Sequence, residues 1–310
     1  MSDTSMAMSV KVFNRTEKLE TLLESVPTDE YETVYVADDG RTEERAHLYE
    51  REWQFDLEVL DLPYDAGVGV GRNAILDALE EEFLTVVDSD HEVAPNADVL
   101  ARQLKERPEF GGVSGLLLEH GRIQGLCHDF YEEDDVLVRD TGPKTTETVA
   151  EYPLVEFDFV PNVVTFRREC LEELAWDENY VIGRDHLDFF VGHWRETDWQ
   201  FGTCPSVLFP HYPGGGSEYD ANRLNPEKLL AGKSYFLDKW GYEGIVARGF
   251  WLGNQSVDKP FATLDGDFPV CLPARLGAKV VDVRDARLRL EAAKRKGPIE
   301  ALKAIGGLLR

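Results

Sequence analysis

One short stretch, from Phe83 to Asp90, constrains the fold more than any other part of the sequence. Its first five residues, Phe-Leu-Thr-Val-Val, form an apolar run of strand length, and Asp88-Ser89-Asp90 follows directly. Such a run predicts a buried strand of a parallel sheet, which puts both carboxylates at the edge where open α/β sheets bind ligands. Two acids one residue apart repel each other and favour a divalent cation between them. The alternative is a solvated acidic turn.

Strands and helices alternate over the first 100 residues. Apolar runs of strand length lie at 8–13, 33–37 and 55–60, and segments with helical periodicity separate them. This order predicts βαβ units and therefore an α/β fold of the Rossmann type with a mostly parallel central sheet. Further along, the polar stretch 131–148 predicts a mobile loop.

The charge of the chain limits its partners and its compartment. The 310 residues include 59 acidic and 33 basic ones, for a formal net charge of −26. This balance argues against nucleic acid as a partner. Its spread along the chain suits concentrated salt, which indicates a halophilic, haloarchaeal source. Because no apolar run reaches the roughly 20 residues that span a bilayer, we expect a cytoplasmic protein.

The charge reverses at the end of the chain. Beyond residue 275 basic residues outnumber acidic ones, and apolar residues recur partly at helical spacing. A basic amphipathic tail can lie on an anionic membrane surface, so residues 280–310 are candidates for peripheral membrane contact. The alternatives are a terminal helix docked on the acidic body and a disordered tail.

A glycine-rich segment leaves two nucleotide-binding functions open. Residues 69–74 read Gly-Val-Gly-Arg-Asn-Ala, which fits the dinucleotide pattern G-x-G-x-x-A and would make the chain an NAD(P)-dependent oxidoreductase. The segment follows the third predicted strand, however, and not the first. A nucleoside diphosphate sugar is the other ligand: Asp39 is placed to bind its base or ribose and Arg72 its phosphates. Taken singly, Asp39 also suits an Asp-Gly turn and Arg72 the surface.

Three segments, taken in order, resemble the metal-dependent inverting glycosyltransferases of the GT-A fold, glycosyltransferase family 2. They are Ala37-Asp38-Asp39-Gly40, the segment from Gly67 to Asn73, and Val87-Asp88-Ser89-Asp90. Segments at 162–168, 186–190 and 204–207, followed by His211, resemble the acceptor half of the N-acetylgalactosaminyltransferases that build gangliosides. The resemblance implies a GT-A domain over 1–220, with a nucleotide-sugar-binding half (1–100) and an acceptor half (101–220). Residues 221–310 would form a helical C-terminal extension that carries the basic tail.

The resemblance also implies roles for single residues. Asp188 matches the acid of the family's His-Leu-acid-Phe-Phe segment and is the expected base, with Asp185 as the fallback. His211 is the expected third ligand of Mn²⁺ or Mg²⁺ beside Asp88 and Asp90; without the resemblance it would be interpreted as a surface histidine. The residues expected to bind the nucleotide sugar are Phe13, Arg15, Asp38, Asp39, Arg72, Asn73, Asp88 and Ser89.

The sequence thus predicts an enzyme that transfers a hexose or N-acetylhexosamine from a UDP-sugar to a hydroxyl of a glycan or lipid-linked acceptor. Residues 280–310 would bring it to the cytoplasmic face of a membrane. Two rivals remain: the dinucleotide oxidoreductase, and a non-catalytic sugar-nucleotide-binding module that keeps the fold.

Overall fold

The structure of the protein is a computed structural model, which describes residues 5–252 and 272–279, together with residues 286, 290, 293, 294 and 297. The prediction of a membrane-binding tail over 280–310 therefore lies outside the described residues, except for those five. No helix in the described part of the chain is long and apolar enough to cross a bilayer.

Strands and helices alternate over the first 90 residues, as the sequence predicts. The apolar residues of the first helix, Leu19, Leu22 and Leu23, share one face and are buried, which is why this segment forms an amphipathic helix. The elements are β1 (Met6–Val12), α1 (Thr16–Glu24), β2 (Thr33–Asp38), a 3₁₀ turn (Thr42–Arg45), α2 (Ala46–Tyr49), β3 (Asp56–Asp61), α3 (Val68–Ala78) and β4 (Phe83–Asp88).

Later strands extend the same sheet. The remaining elements are α4 (Asp98–Glu106), β5 (Phe110–Glu119), β6 (Arg122–Gln124), β7 (Asp129–Glu133), β8 (Val136–Asp140), β9 (Thr146–Val149), β10 (Tyr152–Glu156), β11 (Val164–Arg167), α5 (Arg168–Glu173), α6 (Asp185–Glu196), β12 (Gln200–Pro210), α7 (Ser217–Arg223), α8 (Pro226–Trp240) and β13 (Gly244–Ala247). The ten-stranded sheet has the order β3-β2-β1-β4-β11-β5-β12-β10-β9, with β6 beside β5. Only β6, β10 and β11 run against the other seven strands. The predicted α/β fold with a mostly parallel sheet is confirmed.

Helices cover both faces of the sheet. One hydrophobic cluster joins the sheet to α1 and α4. The other joins it to α3, α5, α6 and α8 and includes the fully buried Phe189 and Phe236. Since Phe236 lies in α8, that helix packs into the same hydrophobic core as the sheet. The domain boundary at residue 220 stays a prediction.

The predicted loop over 131–148 is wrong. This stretch contains the end of β7, all of β8 and most of β9, and Val136, Leu137 and Val138 are fully buried. In the second, three-stranded sheet β8 pairs with β13, with Val136 opposite Gly244. β8 also pairs with β7, but the polar neighbours of the short Val-Leu-Val run concealed the strand.

The glycine-rich segment is helical instead of forming a phosphate-binding turn. Gly67 precedes α3 with φ at 109°, a conformation that favours glycine. A Cβ on Gly69 would lie 2.5 Å from the carbonyl oxygen of Asp177, and one on Gly71 would lie 2.7 Å from Cγ of Lys11. These glycines let α3 pack closely on its neighbours, which explains the unusual spacing without a dinucleotide.

A carboxylate far away in sequence supports the start of α4. One oxygen of Glu30 accepts a hydrogen bond from the backbone N–H of Asp98 at 3.2 Å. Burial, and then the negative charge of Asp98, raises the pKa of Glu30 to about 7. The folded protein therefore retains a proton that the unfolded chain releases.

We expect Glu30→Gln to stabilise the protein at pH 8 but not at pH 4.5. Because the folded-state pKa is raised from its ordinary 4.5, the stability linked to Glu30 is present below that pH and is lost as the pH rises through 7. At ~1.4 kcal/mol per pKa unit, reduced for partial exposure, the gain should be about 1–2 kcal/mol. Denaturant unfolding at several pH values and constant salt measures it; a difference that does not change with pH would contradict the linkage.

Candidate active site

A cavity of about 590 Å³ lies at the carboxyl ends of β1 and β4, the edge that the sequence predicts for ligands. Its walls come from the residues after these strands, the start of α3, the segment 181–186, the residues after β12, and α7. Eight of the twelve predicted site residues line it: Phe13, Arg15, Arg72, Asp88, Ser89, Asp90, Asp185 and His211.

The turn after β4 and the end of β12 meet at one wall of this cavity. The backbone N–H of Tyr212 donates to the carbonyl of Asp90 at 2.8 Å, and the rings of His91 and His211 stack with centroids 4.6 Å apart. Nε2 of His211 then lies 3.5 Å from Oδ2 of Asp90. Two residues that the sequence predicts as ligands of one metal are thus neighbours in the fold.

The charges of this pair reinforce each other. Burial alone would raise the pKa of Asp90, but His211 and Arg15 outweigh burial and lower it to about 2. For His211, burial lowers the pKa, but Asp90 and Glu119 outweigh it and raise the value above its ordinary range. Asp90 is therefore an ionised carboxylate at neutral pH.

Arg15 connects Asp90 to the helix α7. Its guanidinium lies 2.9 Å from the carboxylate of Asp90 and 3.5 Å from the hydroxyl of Ser89. On its other side the ring of Tyr219, from α7, lies 3.6 Å from the guanidinium carbon. Arg15 thus neutralises the acidic turn and anchors α7 over the cavity at the same time.

The donor set suits a divalent cation. Two ligands that each lie about 2.1 Å from one Mg²⁺ ion at right angles are about 3 Å apart, close to the separation of Asp90 from His211. The Asp88 side chain is 45% exposed and lies 3.6 Å from Arg72. No group of three or more His, Cys, Asp or Glu side chains is gathered around one point within the described residues. Asp90 and His211 are therefore the assembled part of the predicted site, with Asp88 beside them on the cavity wall.

Arg72 occupies the side of the cavity near α6. Its side chain is buried, with Nη2 donating to Asn162 at 2.8 Å and Nη1 lying 4.0 Å from Oδ2 of Asp185. Nη1 makes no hydrogen bond to any described residue. A buried guanidinium N–H without a hydrogen-bond partner, at a cavity wall, has the chemistry to bind a phosphate oxygen.

Asp188 does not line the cavity, and its role as the base stays a prediction. This carboxylate is buried outside the cavity lining and accepts hydrogen bonds from Tyr180 at 2.9 Å, Trp240 at 2.7 Å and Lys239 at 2.8 Å. Three donors hold it in the interface between α6 and α8. The fallback, Asp185, is the first residue of α6 and does line the cavity.

Asp39 and Asn73 also lie outside the cavity lining. Asp39 is fully buried, forms an ion pair with Lys11 at 2.7 Å and accepts from the N–H of Gly67 at 3.0 Å. Asn73 binds both backbone groups of Trp176, so it joins α3 to the segment before α6. In this structure Asp39 influences the cavity through Lys11, and Asn73 supports its wall. Direct contacts of these two side chains with the nucleotide stay a prediction.

Asp38 is likewise used inside the protein. Its carboxylate receives two hydrogen bonds from Arg45, at 2.6 and 2.7 Å, and further ones from Tyr49 at 2.6 Å and Gly40 at 2.9 Å. All four acceptor positions of the carboxylate are then occupied. Asp38 therefore fixes the turn after β2, and its role in nucleotide binding stays a prediction.

Sequence reasoning missed the helix that covers the cavity. Tyr219 and Asn222 of α7 line it, and Asn222 donates to Asp65 at 3.1 Å. Glu218 reaches Arg41 at 3.0 Å and Tyr64 at 2.8 Å. The sequence signal that could have indicated this helix is the polar segment that follows the three glycines 214–216 and contains Tyr219.

The family of the chain follows from its first half. Residues 9–174 match glycosyl transferase family 2, a stretch that begins within β1 and contains β2, β3, β4 and the Asp88-Ser89-Asp90 turn. The chain belongs to glycosyl transferase family 2. This membership decides against the dinucleotide oxidoreductase.

Solved glycosyltransferases share the fold. GalNAc-T7 with UDP, GalNAc and Mn²⁺ is 12% identical, with a TM-score of 0.56 over 95% of this chain and 57% of that one. The mannosyltransferase PcManGT from Pyrobaculum calidifontis, with GDP-Man and Mn²⁺, is 16% identical, with a TM-score of 0.53 over 99% of this chain and 80% of that one. S. aureus TarS 1–349 is 13% identical, with a TM-score of 0.51 over 93% of this chain and 80% of that one. The chain spans little more than half of the GalNAc-T7 chain. At these identities the likeness shows the GT-A fold, and no curated protein matches.

We expect Asp38→Ala to destabilise the fold strongly. It leaves the guanidinium of Arg45, which is fully buried, without its counter-charge, and breaking such a pair lowers the free energy of unfolding by about 3–5 kcal/mol. Glu24→Ala is the control, because its pair with Arg51 is exposed and should contribute less than about 1 kcal/mol. Denaturant unfolding measures both. An Asp38→Ala protein of wild-type stability with weaker nucleotide binding would restore the predicted binding role.

Proposed function

We propose that the protein is a metal-dependent glycosyltransferase that uses a UDP-sugar. The observation that carries the proposal is the meeting of Asp88-Ser89-Asp90 with His211 in a cavity that Arg15 and Arg72 also line. Family membership supports sugar transfer, and GalNAc-T7 and PcManGT, which share the fold, hold a nucleotide or nucleotide sugar with Mn²⁺.

Asp88, Asp90 and His211 would hold the Mn²⁺ or Mg²⁺ ion. When bound, the cation offsets charge on the diphosphate as the nucleotide departs. Arg72 supplies a second positive group, because its Nη1 is available for a phosphate oxygen. At the β1 side, Phe13 packs on Tyr64 with centroids 5.2 Å apart and offers an aromatic surface to the nucleoside.

Asp185 is the proposed base of an inverting transfer. The acceptor hydroxyl gives its proton to the Asp185 carboxylate while the oxygen bonds to the anomeric carbon and the bond to the leaving phosphate oxygen breaks. Arg72 lies 4.0 Å from this carboxylate and 3.6 Å from Asp88, so it lies between the proposed base and the proposed metal ligands. Donor and acceptor chemistry would then meet beside one guanidinium.

The finer identity of the substrates is also proposed. The donor sugar is a hexose or N-acetylhexosamine, and the acceptor is a glycan or lipid-linked glycan at the cytoplasmic membrane face. The ganglioside-type resemblance of the segments at 162–168 and 186–190 supports this donor sugar. The basic tail supports an acceptor at the membrane face, and the net charge of −26 supports a haloarchaeal source.

Binding and turnover in molar salt test the proposal. We expect UDP to bind tightly only with Mn²⁺ or Mg²⁺, and Asp90→Asn to remove the metal dependence because the substitution takes away the charged ligand. Calorimetric titration measures both, with NAD(H) as the contrasting ligand. Slow metal-dependent hydrolysis of a UDP-sugar would separate an enzyme from a non-catalytic module. Binding of NAD(H) in place of UDP would overturn the proposal.

Asp185→Asn should affect turnover, whereas Asp188→Asn should affect stability. Loss of a general base lowers kcat by about 10²–10⁴-fold, so Asp185→Asn should lose turnover and keep both its stability and its UDP–Mn²⁺ affinity. Asp188→Asn should instead lower the free energy of unfolding, because Lys239 loses one of its two charged acceptors and keeps only Asp177. Steady-state kinetics and denaturant unfolding on both variants decide. A stable Asp188→Asn protein without turnover would reinstate Asp188 as the base.

A further inference from the structure

Glu119 contacts the proposed metal ligand His211 from the side away from Asp90. Its Oε2 lies 2.7 Å from Nδ1 of His211, whereas Oδ2 of Asp90 lies 3.5 Å from Nε2. Side chains of both Glu119 and His211 are largely shielded, at 17% and 18% exposure. The imidazole therefore lies between two carboxylates, one at each nitrogen.

The sequence around Glu119 explains its position. Glu119 is the last residue of β5, and the two-residue turn His120-Gly121, with φ of 50° and 74°, connects it to β6. Glu119 is then opposite Arg122 in the hairpin register. On the other side of β5, the N–H of His211 donates to the carbonyl of Leu118 at 2.9 Å. Backbone pairing on both sides thus fixes Glu119 next to His211.

The short contact determines which nitrogen is available. An ionised carboxylate only accepts hydrogen bonds, so Nδ1 of His211 carries the proton and donates it to Glu119. When the ring gives up its other proton, as a metal ligand must, the lone pair is on Nε2, which faces Asp90. The stacked ring of His91, inclined by 16°, restricts the plane of the imidazole.

We propose that Glu119 is a positioning residue that orients His211 toward the cation. The inference rests on the proposed function, because it needs the metal at Asp88, Asp90 and His211. A histidine ligand that donates its second N–H to a carboxylate is held in one tautomer and one orientation and is a stronger ligand for it. Glu119 acts through His211 and has no contact of its own with the substrate or the cation.

Glu119→Ala, Glu119→Gln and Glu92→Ala test the proposal. We expect Glu119→Ala to weaken Mn²⁺ binding in the presence of UDP by about 10–100-fold, as measured from the electron paramagnetic resonance signal of free Mn²⁺. Glu119→Gln still accepts a hydrogen bond from Nδ1, so it should recover most of the affinity. Glu92 follows Asp90 by two residues and forms no described ion pair with His211. Glu92→Ala therefore controls for a general loss of negative charge and should bind Mn²⁺ as the wild type does.

Two further measurements separate the possible failures. Glu119→Gln and Glu92→Ala should keep the wild-type free energy of unfolding, so a Glu119→Gln protein that loses stability in step with Mn²⁺ affinity would overturn the positioning role. Unchanged affinity in Glu119→Ala, or an equal loss in Glu92→Ala, would also overturn it. A wild-type protein that binds UDP but no Mn²⁺ or Mg²⁺ would contradict the metal site of the proposed function itself.

Discussion

Backbone pairing between the turn after β4 and the end of β12 is the interaction on which the candidate site depends. The N–H of Tyr212 donates to Asp90 at 2.8 Å, and the N–H of Glu92 donates to Pro210 at 3.0 Å. These bonds join the part of the sheet formed by β1 to β4 to the later strands. They bring His211 to Asp90 regardless of the side chains in the cavity, because main-chain hydrogen bonds set the register. The pairing of the sheet thus determines where the side chains of Asp90 and His211 lie.

Two buried arginines make this concentration of acids stable. Asp90 is paired with Arg15 at 2.9 Å, and Arg72 lies between Asp88 and Asp185. In a chain of net charge −26, unpaired carboxylates on the wall of a partly buried cavity would repel one another strongly. The same guanidinium groups are the partners that a diphosphate requires. One set of charges therefore serves both the stability of the cavity and its proposed ligand.

Much of the fold and part of the site could be predicted, for identifiable reasons. The strand before Asp88 and the helical face of Leu19, Leu22 and Leu23 follow from local periodicity, which short-range sterics and burial impose. β8 was missed because its apolar run is short and has polar neighbours, and because one of its two partners, β13, follows more than a hundred residues later. Glu119 was missed for a similar reason: its role exists only once β5 and β12 lie side by side.

The difference between Asp185 and Asp188 has a physical origin that applies to the other acids too. Sequence spacing puts both on one helix, but only contacts reveal how many donors each carboxylate already has. Asp38 accepts four hydrogen bonds and Asp188 accepts three. The carboxylate of Asp185, in contrast, has one described ion pair, with the guanidinium of Arg72 at 4.0 Å. A carboxylate whose acceptor positions are filled from inside the protein can bind a ligand or a proton only by breaking those bonds. The acids that remain for chemistry are those that the fold leaves incompletely satisfied.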